Sequence, residues 1–371
     1  HEIYRSLFYK GEEEAGKVSD DVMIVFSPDM TEEETITRLG SLGFKDATRA
    51  YASLSHIRTG PSFTRLGSKT QMLLQRLSPV FLERAAASPD PDRTLTYIER
   101  FISSVGGRTA FYSLLVENPR VIDELVKLFS TSVFLSNVLL ERPEGLDMLL
   151  SKELALAYRT RSEMFDEVFG AIKGHADYEE KLDALRRVRN QEIFRIGTND
   201  ILGALPSRLI CTQITFLAEA CLEAALALAA EELSVRFGSP QGGRFSILGL
   251  GKLGAKELTY GSDLDIIFVY DGPDEGTTSG PRVISNAEYF IKLGQRVISI
   301  LTLRTKEGIV FNVDARLRPS GNAGVLVVSR SAFADYHRGS TQVWERQAFI
   351  KARMAAGDPS LGRDVVEELS M

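Results

Sequence analysis

Two acidic residues at the start of a β-type segment are the first sign of chemistry in this sequence. Asp263 and Asp265 are separated by one residue in the run Ser-Asp-Leu-Asp-Ile-Ile-Phe. The period-two geometry of a strand would place both carboxylates on one face. Neighbouring carboxylates repel each other unless a cation binds them, so the pair predicts a site for a hard divalent metal. An isolated pair is more often one strand cap and one solvated carboxylate, so the interpretation depends on the surrounding residues.

A second segment supplies a third acid and two arginines. Residues 309–318 alternate between apolar and polar side chains, which predicts a one-sided strand within Gly308–Leu317. Asp314, Arg316 and Arg318 share the polar face. Asp314 is then a candidate third metal ligand, and the two arginines would point toward a triphosphate. Three carboxylates on neighbouring strands are typical of two-metal phosphoryl or nucleotidyl transfer, so all three are candidate catalytic and metal-binding residues.

A glycine-rich run precedes the acidic pair. Residues 249–254 have the pattern G-x-G-x-x-G after a predicted strand, which raises the possibility of a dinucleotide-binding turn. That turn opens a crossover helix, and a crossover needs about 10–12 residues or more between parallel strands. The next strand pattern already begins at Leu264, and Tyr260-Gly261-Ser262 interrupts the interval. We therefore predict instead that Gly251 and Lys252 form a phosphate-binding turn.

Helical patterns fill the chain before these segments. Thr31 and Glu34 form a capping-box pattern, and breakers such as Pro89, Pro119 and Pro143 separate the helices that follow. These helices show no metal-ligand spacing, so we interpret them as a scaffold. The predicted helices are Gln71–Ala87, Thr94–Val105, Thr109–Val116, Arg120–Phe129, Val133–Leu140, Tyr178–Leu202 and Ser207–Phe237.

The pattern changes at Gln241, where β-type runs begin, and helices are expected again after Ser331. The predicted strands are Arg244–Leu250, Leu264–Tyr270, Gly308–Leu317 and Gly324–Ser329, with a helix at Ile284–Leu303 between the second and third. The fold class expected is α+β, mostly helical, with a mixed sheet of about 4–5 strands after an N-terminal helical region. The predicted domains are a weakly assigned segment 1–65, a helical region 66–240, a catalytic core 241–330 and the start of a C-terminal helical region 331–371.

Composition limits the function classes. The 371 residues are 44% hydrophobic and 25% charged, as in a globular protein with a full core. The net charge of −6 argues against broad nucleic-acid binding, and no uncharged run approaches the length of a membrane span. Cys211 and Cys221 would lie on different faces of one helix, so we expect core residues without a disulfide, in a cytoplasmic protein. No signal-peptide pattern is visible at the N-terminus. The chain begins with His1 rather than Met, so we expect a piece of a longer protein.

The candidate site resembles the DNA-polymerase-β-like nucleotidyltransferase superfamily. That superfamily combines a Gly-Ser or similar turn, an Asp-x-Asp pair about a dozen residues later and a third Asp on another strand. Gly251-Lys252 occupies the turn position twelve residues before Asp263. Lys252 replaces the usual serine, which makes the phosphate contact at this position differ from the superfamily pattern.

Longer motifs resemble one family within that superfamily, the glutamine synthetase adenylyltransferases. They include Ser262-Asp263-Leu264-Asp265, Val313–Gly321, and Trp344–Ala348 followed by Lys351-Ala352-Arg353. The resemblance covers most of the chain from about residue 70. It implies the polymerase-β-like fold, Mg²⁺ as cofactor, ATP as substrate, and glutamine synthetase and a nitrogen-regulatory signalling protein as partners. It also implies that Gly261 and Ser262 help to bind the nucleotide.

Members of this family carry two related catalytic halves, one that attaches AMP to a tyrosine of glutamine synthetase and one that removes it by phosphorolysis. Leu264 between the aspartates and the run from Arg318 to Gly324 resemble the transferring half. The predicted function is therefore AMP transfer from ATP, with deadenylylation and a non-catalytic docking module as alternatives. Lys351 and Arg353 are predicted either to reach the substrate or to lie on a solvated helix face, and Trp344 is predicted to pack rather than to stack on adenine.

Overall fold

The computed structural model describes residues 18–60, 66–146, 158–273, 275–319, 321, 324–339 and 343–369, the last range with the side chains of Val343 and Trp344 excepted. The chain forms two compact units. The first comprises His1–Leu156 and Gly197–Ala204, and the second comprises Ala157–Ile196 and Leu205–Met371. The predicted domain boundaries at residues 65, 240 and 330 remain predictions.

Helices build the first unit. Phe81, Phe101 and Phe129 are buried in its core, and the predicted capping box of Thr31 and Glu34 is present, with the Thr31 hydroxyl accepting from the Glu34 amide. The amphipathic patterns placed the helices from Ser68 to Glu141 within a few residues of their observed ends, whereas the helices Asp20–Val25 and Ala47–Thr59 were not predicted. The described helices of this unit are α1 (Asp20–Val25), α2 (Glu32–Ser41), α3 (Ala47–Thr59), α4 (Ser68–Ala86), α5 (Pro91–Val105), α6 (Thr109–Glu117), α7 (Pro119–Thr131), α8 (Val133–Glu141) and a 3₁₀ turn at Pro143–Gly145.

Three helices open the second unit: α9 (Arg161–Lys173), α10 (Tyr178–Ile201, whose last turn belongs to the first unit) and α11 (Ser207–Phe237). By length and composition alone α11 could cross a membrane, but 67% of its most apolar window is buried inside the protein. It packs against α9 and the last strand of the sheet, which is the pattern of a core helix. Cys221 lies in this core, where burial raises the pKa of its thiol to about 12.

A mixed five-stranded sheet forms the rest of the second unit, which confirms the predicted α+β class. The remaining elements in chain order are β1 (Arg244–Gly249), α12 (Gly251–Ala255), β2 (Leu264–Asp271), α13 (Asn286–Thr302), β3 (Val313–Asp314), β4 (Val327–Ser329), α14 (Arg330–Gly339), α15 (Val343–Phe349), β5 (Arg353–Gly357) and α16 (Pro359–Leu369).

The sheet is organised around β1 and β2. The order is β3-β2-β1-β5, and β4 pairs with β2 farther along the edge that β3 occupies. β1 is antiparallel to both β2 and β5, whereas β3 and β4 are parallel to β2. One face carries Leu248, Ile267 and Val269, which pack in a core with residues of α14 to α16. On the other face Gly294 of α13 contacts Phe268 and Val327 so closely that a Cβ there would lie 2.7 Å from the Val327 side chain.

The predicted strand Gly308–Leu317 is wrong in length, because only Val313–Asp314 pairs as a strand. Before it, the amides of Val310 and Phe311 both donate to the carbonyl of Leu301 at the end of α13, so the chain folds back over the helix. After it, the carboxylate of Asp314 accepts from the Arg316 amide at 2.8 Å and ends the strand in a turn. The alternating pattern is therefore real in the sequence but is not expressed as a strand.

Strand β5 was not predicted, because only helices were expected after Ser331. The segment Arg353–Gly357 reads Arg-Met-Ala-Ala-Gly, without β-branched or aromatic residues, so local propensity does not indicate a strand. It becomes one because the free edge of β1 supplies hydrogen bonds along Ser246–Gly249. Tertiary pairing thus overrides a sequence that favours helix.

Candidate active site

The three predicted acidic residues lie at one end of the β2–β3 pair. Asp265 of β2 is directly opposite Asp314 of β3 in the parallel register. The amide of Leu264 donates to the carbonyl of Asn312 at 2.9 Å and fixes that register. Asp263 precedes β2 by one residue and is exposed. The structure therefore places Asp314 opposite Asp265 and beside the residue that precedes β2, although Asp263 and Asp314 are 51 residues apart in the chain.

Asp265 is the carboxylate most affected by its surroundings. Burial raises its pKa, and the negative charges of Asp314 and Asp263 raise it further. The positive charges of Arg316 and Lys252 act in the opposite direction. The net effect is a raised pKa of Asp265. Added positive charge near this carboxylate would therefore favour its ionised form.

Asp314 is paired with Arg316. The Arg316 Nε lies 3.0 Å from both carboxylate oxygens of Asp314, and the Arg316 amide donates to the same group at 2.8 Å. These bonds lower the pKa of Asp314. The Arg316 side chain is 71% exposed and that of Asp314 is 16% exposed. The guanidinium therefore covers a carboxylate of the site from the solvent side.

The glycine run forms a short turn of helix between antiparallel strands, not a βαβ crossover. β1 ends at Gly249, and the Leu250 amide donates to the Asp265 carbonyl at 2.8 Å. Gly251 has a φ of 50°, and a Cβ on it would lie 2.4 Å from the Asp265 carboxylate. Glycine is thus required here by both conformation and close approach. Lys252 follows it and is exposed, within electrostatic range of Asp265.

Gly261 and Ser262, predicted to bind nucleotide, lie in the turn that leads into β2. Gly261 has a φ of 72°, which favours glycine. The Ser262 hydroxyl accepts from the Thr259 amide at 3.1 Å and also contacts the Thr259 hydroxyl at 2.9 Å. Both residues therefore have a local role, which is to shape the turn that presents Asp263.

Two other predicted residues contact protein groups. The guanidinium of Arg318 donates to the carbonyl of Ala315 at 2.6 Å, so it folds back onto its own loop. Lys351 pairs with Glu257 at 3.1 Å on the surface. Ser320, Asn322 and Ala323 of the run 318–324, and the side chain of Trp344, lie outside the described residues.

The chemistry of the donor set fits a hard divalent cation. The site offers carboxylate oxygens. Burial and the neighbouring charges of Asp314 and Asp263 raise the pKa of Asp265, and a bound cation would relieve the repulsion between these carboxylates. In the described part of the chain, no three acidic, histidine or cysteine side chains are already gathered as metal ligands. Arg316 instead holds Asp314. A cation bound by Asp263, Asp265 and Asp314 would therefore exchange places with this guanidinium.

Sequence reasoning missed a second pair of charged residues next to the glycine turn. Arg353, expected to reach substrate or solvent from a helix, is on β5 and donates to the carbonyls of Leu253 and Gly254. Its partner is Glu219 of α11, which is 1% exposed. An acid within the apolar stripe of a core helix was the available signal, because a buried charge needs a partner.

Comparison with known proteins shows the family of the chain. The family model described as glutamate-ammonia ligase adenylyltransferase matches residues 122–368. A bifunctional glutamine synthetase adenylyltransferase/adenylyl-removing enzyme from Thioalkalivibrio sulfidiphilus (strain HL-EbGR7) is 35% identical over 355 residues, covering 92% of this chain. The chain spans only 36% of that relative's length. On the extent of these matches, the chain belongs to the glutamate-ammonia ligase adenylyltransferase family.

Proposed function

We propose that this chain transfers AMP from ATP to a tyrosine hydroxyl of glutamine synthetase and releases pyrophosphate. One observation carries the proposal: Asp265 and Asp314 are opposite each other in register, and burial together with the negative charges of Asp314 and Asp263 raises the pKa of Asp265. Such a cluster is suited to a cation-assisted reaction of phosphates. Membership of the adenylyltransferase family and the name of the Thioalkalivibrio relative support the substrate.

Each charged residue has a role in this proposal. Asp263, Asp265 and Asp314 would hold Mg²⁺, in a two-metal arrangement. Bound Mg²⁺ would neutralise the charge of the reacting phosphate and the departing pyrophosphate. Lys252 and the backbone at Gly251 would contact the phosphates, since an exposed ammonium beside an open turn suits a polyanion. Arg316, once displaced from Asp314, is placed to bind a phosphate oxygen.

The reaction exchanges one phosphorus–oxygen bond for another. The tyrosine oxygen bonds to the α-phosphorus as the bond to the pyrophosphate oxygen breaks, and the hydroxyl proton passes to an acceptor.

The reverse activity is the second candidate, because the relative's name includes an adenylyl-removing enzyme. The same carboxylates would serve phosphorolysis of adenylylated tyrosine. Leu264 between the aspartates favours transfer over removal by its resemblance to the transferring half. A nitrogen-regulatory signalling protein as partner and a cytoplasmic location belong to the same proposal.

Incorporation of label from α-labelled ATP into unmodified glutamine synthetase with Mg²⁺ tests the proposal. Asp263→Asn should lower the initial rate by at least about 100-fold, since it removes a charge placed to act on the reacting phosphate. Asp271→Asn is the matched control, because Asp271 is at the opposite end of β2 and pairs with Arg244. The control should retain most of the wild-type rate.

Three outcomes distinguish the candidates. Labelling that only Asp263→Asn abolishes supports transfer through this site. Phosphate-dependent release of ADP from modified glutamine synthetase, without labelling by the wild type, identifies the removing activity. Binding of glutamine synthetase with neither reaction indicates a docking module.

A further inference from the structure

The short helix α12 ends on a guanidinium from another strand. Arg353 donates from Nε to the carbonyl of Gly254 at 2.9 Å and from Nη2 to the carbonyl of Leu253 at 2.7 Å. The last carbonyls of a helix lack partners within the helix, and a cation is favourable at that end. One planar side chain therefore satisfies two of these groups at once.

Arg353 is itself held by a buried acid. Its Nη1 lies 2.5 Å from Glu219 of α11, whose side chain is 1% exposed. The other oxygen of Glu219 accepts from Nε of Arg161 at 2.7 Å, and that arginine is 50% exposed. Glu219 thus links a core helix to Arg353 through one carboxylate oxygen and to a surface residue through the other.

Close backbone packing fixes the same end of α12. A Cβ on Gly254 would lie 2.1 Å from the carbonyl oxygen of Lys351 and 2.8 Å from that of Gly249. The glycine therefore lets the helix lie directly on the segment that enters β5. The Arg353 hydrogen bonds then set the position of the helix along this contact.

The other end of α12 carries the groups assigned to the phosphates. Gly251 touches the Asp265 carboxylate, and Lys252 follows. A helix of five residues is far shorter than the roughly 12–15 residues that isolated helices need for marginal stability. Its position must therefore come from outside contacts, and the guanidinium of Arg353 supplies two of them at the carboxyl end.

We propose that Arg353, held by Glu219, is a positioning residue that fixes α12 and thereby sets Gly251 and Lys252 against Asp265. The inference rests on the proposed function for its catalytic consequence. Arg353 contacts the backbone and acts through Lys252, so its loss should alter the alignment of the phosphates more than the affinity for ATP. A residue needed only for stability would lower the apparent kcat in proportion to the loss of folded protein and would leave KM unchanged. The kcat is therefore expressed per folded protein, and hydrogen exchange at α12 shows whether the effect is local.

The test compares Arg353→Lys with Arg161→Gln in the full chain. Arg353→Lys keeps the charge beside Glu219 but cannot donate to two carbonyls in a fixed fork. Arg161→Gln removes an ion pair from the same Glu219 without touching α12. Two readouts are taken: hydrogen exchange at the amides of Gly254, Lys256 and Glu257, which bond within or just after α12, and kcat with KM for ATP.

Arg353→Lys should speed exchange at these amides about tenfold, because α12 opens more often. Its kcat should fall about 10- to 100-fold while KM for ATP changes less than about threefold. Glu219→Asp, which withdraws the carboxylate from Arg353 by one methylene, should give smaller changes in the same direction. Arg161→Gln should leave both readouts near wild type at a matched unfolded fraction.

Wild-type exchange in Arg353→Lys would overturn the proposal, and so would equal acceleration in Arg161→Gln, which would show a general effect of the ion pair. Faster exchange with unchanged kcat would overturn the catalytic consequence. If the wild type transfers no AMP, the proposed function fails, whereas the exchange comparison still decides whether Arg353 positions α12.

Discussion

Two carboxylate–guanidinium pairs in the same unit use the same chemistry in opposite surroundings. Asp314 and Arg316 are neighbours in one loop, and the guanidinium is 71% exposed. Glu219 and Arg353 come from distant parts of the chain, and their side chains are 1% and 22% exposed. The first pair is at the edge where the acidic residues meet, and the second is behind the glycine turn. Their surroundings indicate that the guanidinium of the first pair can leave its carboxylate and that the guanidinium of the second cannot.

The difference follows from what replaces a lost partner. Water and salt solvate an exposed guanidinium at little cost, so an exposed pair contributes little and separates easily. A buried carboxylate that loses its partner keeps an uncompensated charge at low dielectric, which is strongly unfavourable. A catalytic site that binds a cation needs the first kind of pair on its carboxylates, and the scaffold behind it needs the second.

Removing the acid from each pair is the strongest test of this difference between the two pairs. Glu219→Gln should lower the free energy of unfolding by about 2 kcal/mol, because Arg353 and Arg161, 22% and 50% exposed, lose the charged acceptor that they share. Asp314→Asn should lower it far less, since Arg316 is solvated in either case. Urea denaturation of both variants, fitted with one common dependence of the free energy of unfolding on urea concentration, measures the difference in stability.

Asp271→Asn is a useful reference in that experiment, because it removes a half-exposed pair with Arg244 at the far end of β2. Equal losses for Glu219→Gln and Asp314→Asn would show that burial does not separate the two pairs.

The two pairs also show how far the sequence predicts this molecule. Helices with a clear apolar stripe were placed within a few residues, and Ser207–Phe237 was placed to the residue. The apolar runs at β1 and β2 indicated the centre of the sheet. The carboxylates of the candidate site were selected because two of them are local neighbours and the third lies in an alternating run, and the structure places Asp314 opposite Asp265. Spacing within a strand is a local property, so a single sequence carries it.

Two of the missed features depend on contacts between distant residues, and a third depends on a local turn. β5 forms only because β1 offers a free edge, and Arg353 reaches Glu219 only once α11 and the sheet are packed. The strand at Asp314 ends early because the carboxylate bonds to its own backbone two residues later. That turn competes with the alternating pattern, and sequence periodicity alone does not say which prevails.

Arg316→Gln tests whether the exposed guanidinium of the first pair can be replaced by a metal cation. In the wild type the guanidinium competes with a cation for Asp314, so its removal should tighten Mn²⁺ binding several-fold in the absence of nucleotide. Mn²⁺ serves as a paramagnetic probe in place of Mg²⁺, and titration followed by electron paramagnetic resonance measures its dissociation constant.

Arg318→Gln is the control for net charge, because Arg318 donates to the carbonyl of Ala315 rather than to the carboxylate. It should change Mn²⁺ affinity less than Arg316→Gln does. Unchanged or weaker Mn²⁺ binding in Arg316→Gln would contradict the exchange of guanidinium for cation.

The smallest effect expected concerns stability. Neutralising two acids of one site should change the free energy of unfolding in opposite directions at pH 7, and both changes should shrink as the pH falls. Arg316 lowers the pKa of folded Asp314, so this pair stabilises the fold above the ordinary aspartate pKa and loses that effect as the pH falls through the lowered value. Burial raises the pKa of folded Asp265, so its ionised form penalises the fold near neutral pH, and the penalty disappears as the pH falls through the raised value.

Relative to the wild type, Asp314→Asn should therefore be less stable and Asp265→Asn more stable at pH 7, and both differences should shrink in acid. Urea denaturation between pH 7 and acid pH, without divalent cations, measures them; a destabilised Asp265→Asn at pH 7 would mean that the Asp265 carboxylate is satisfied by its surroundings and has no need of a cation.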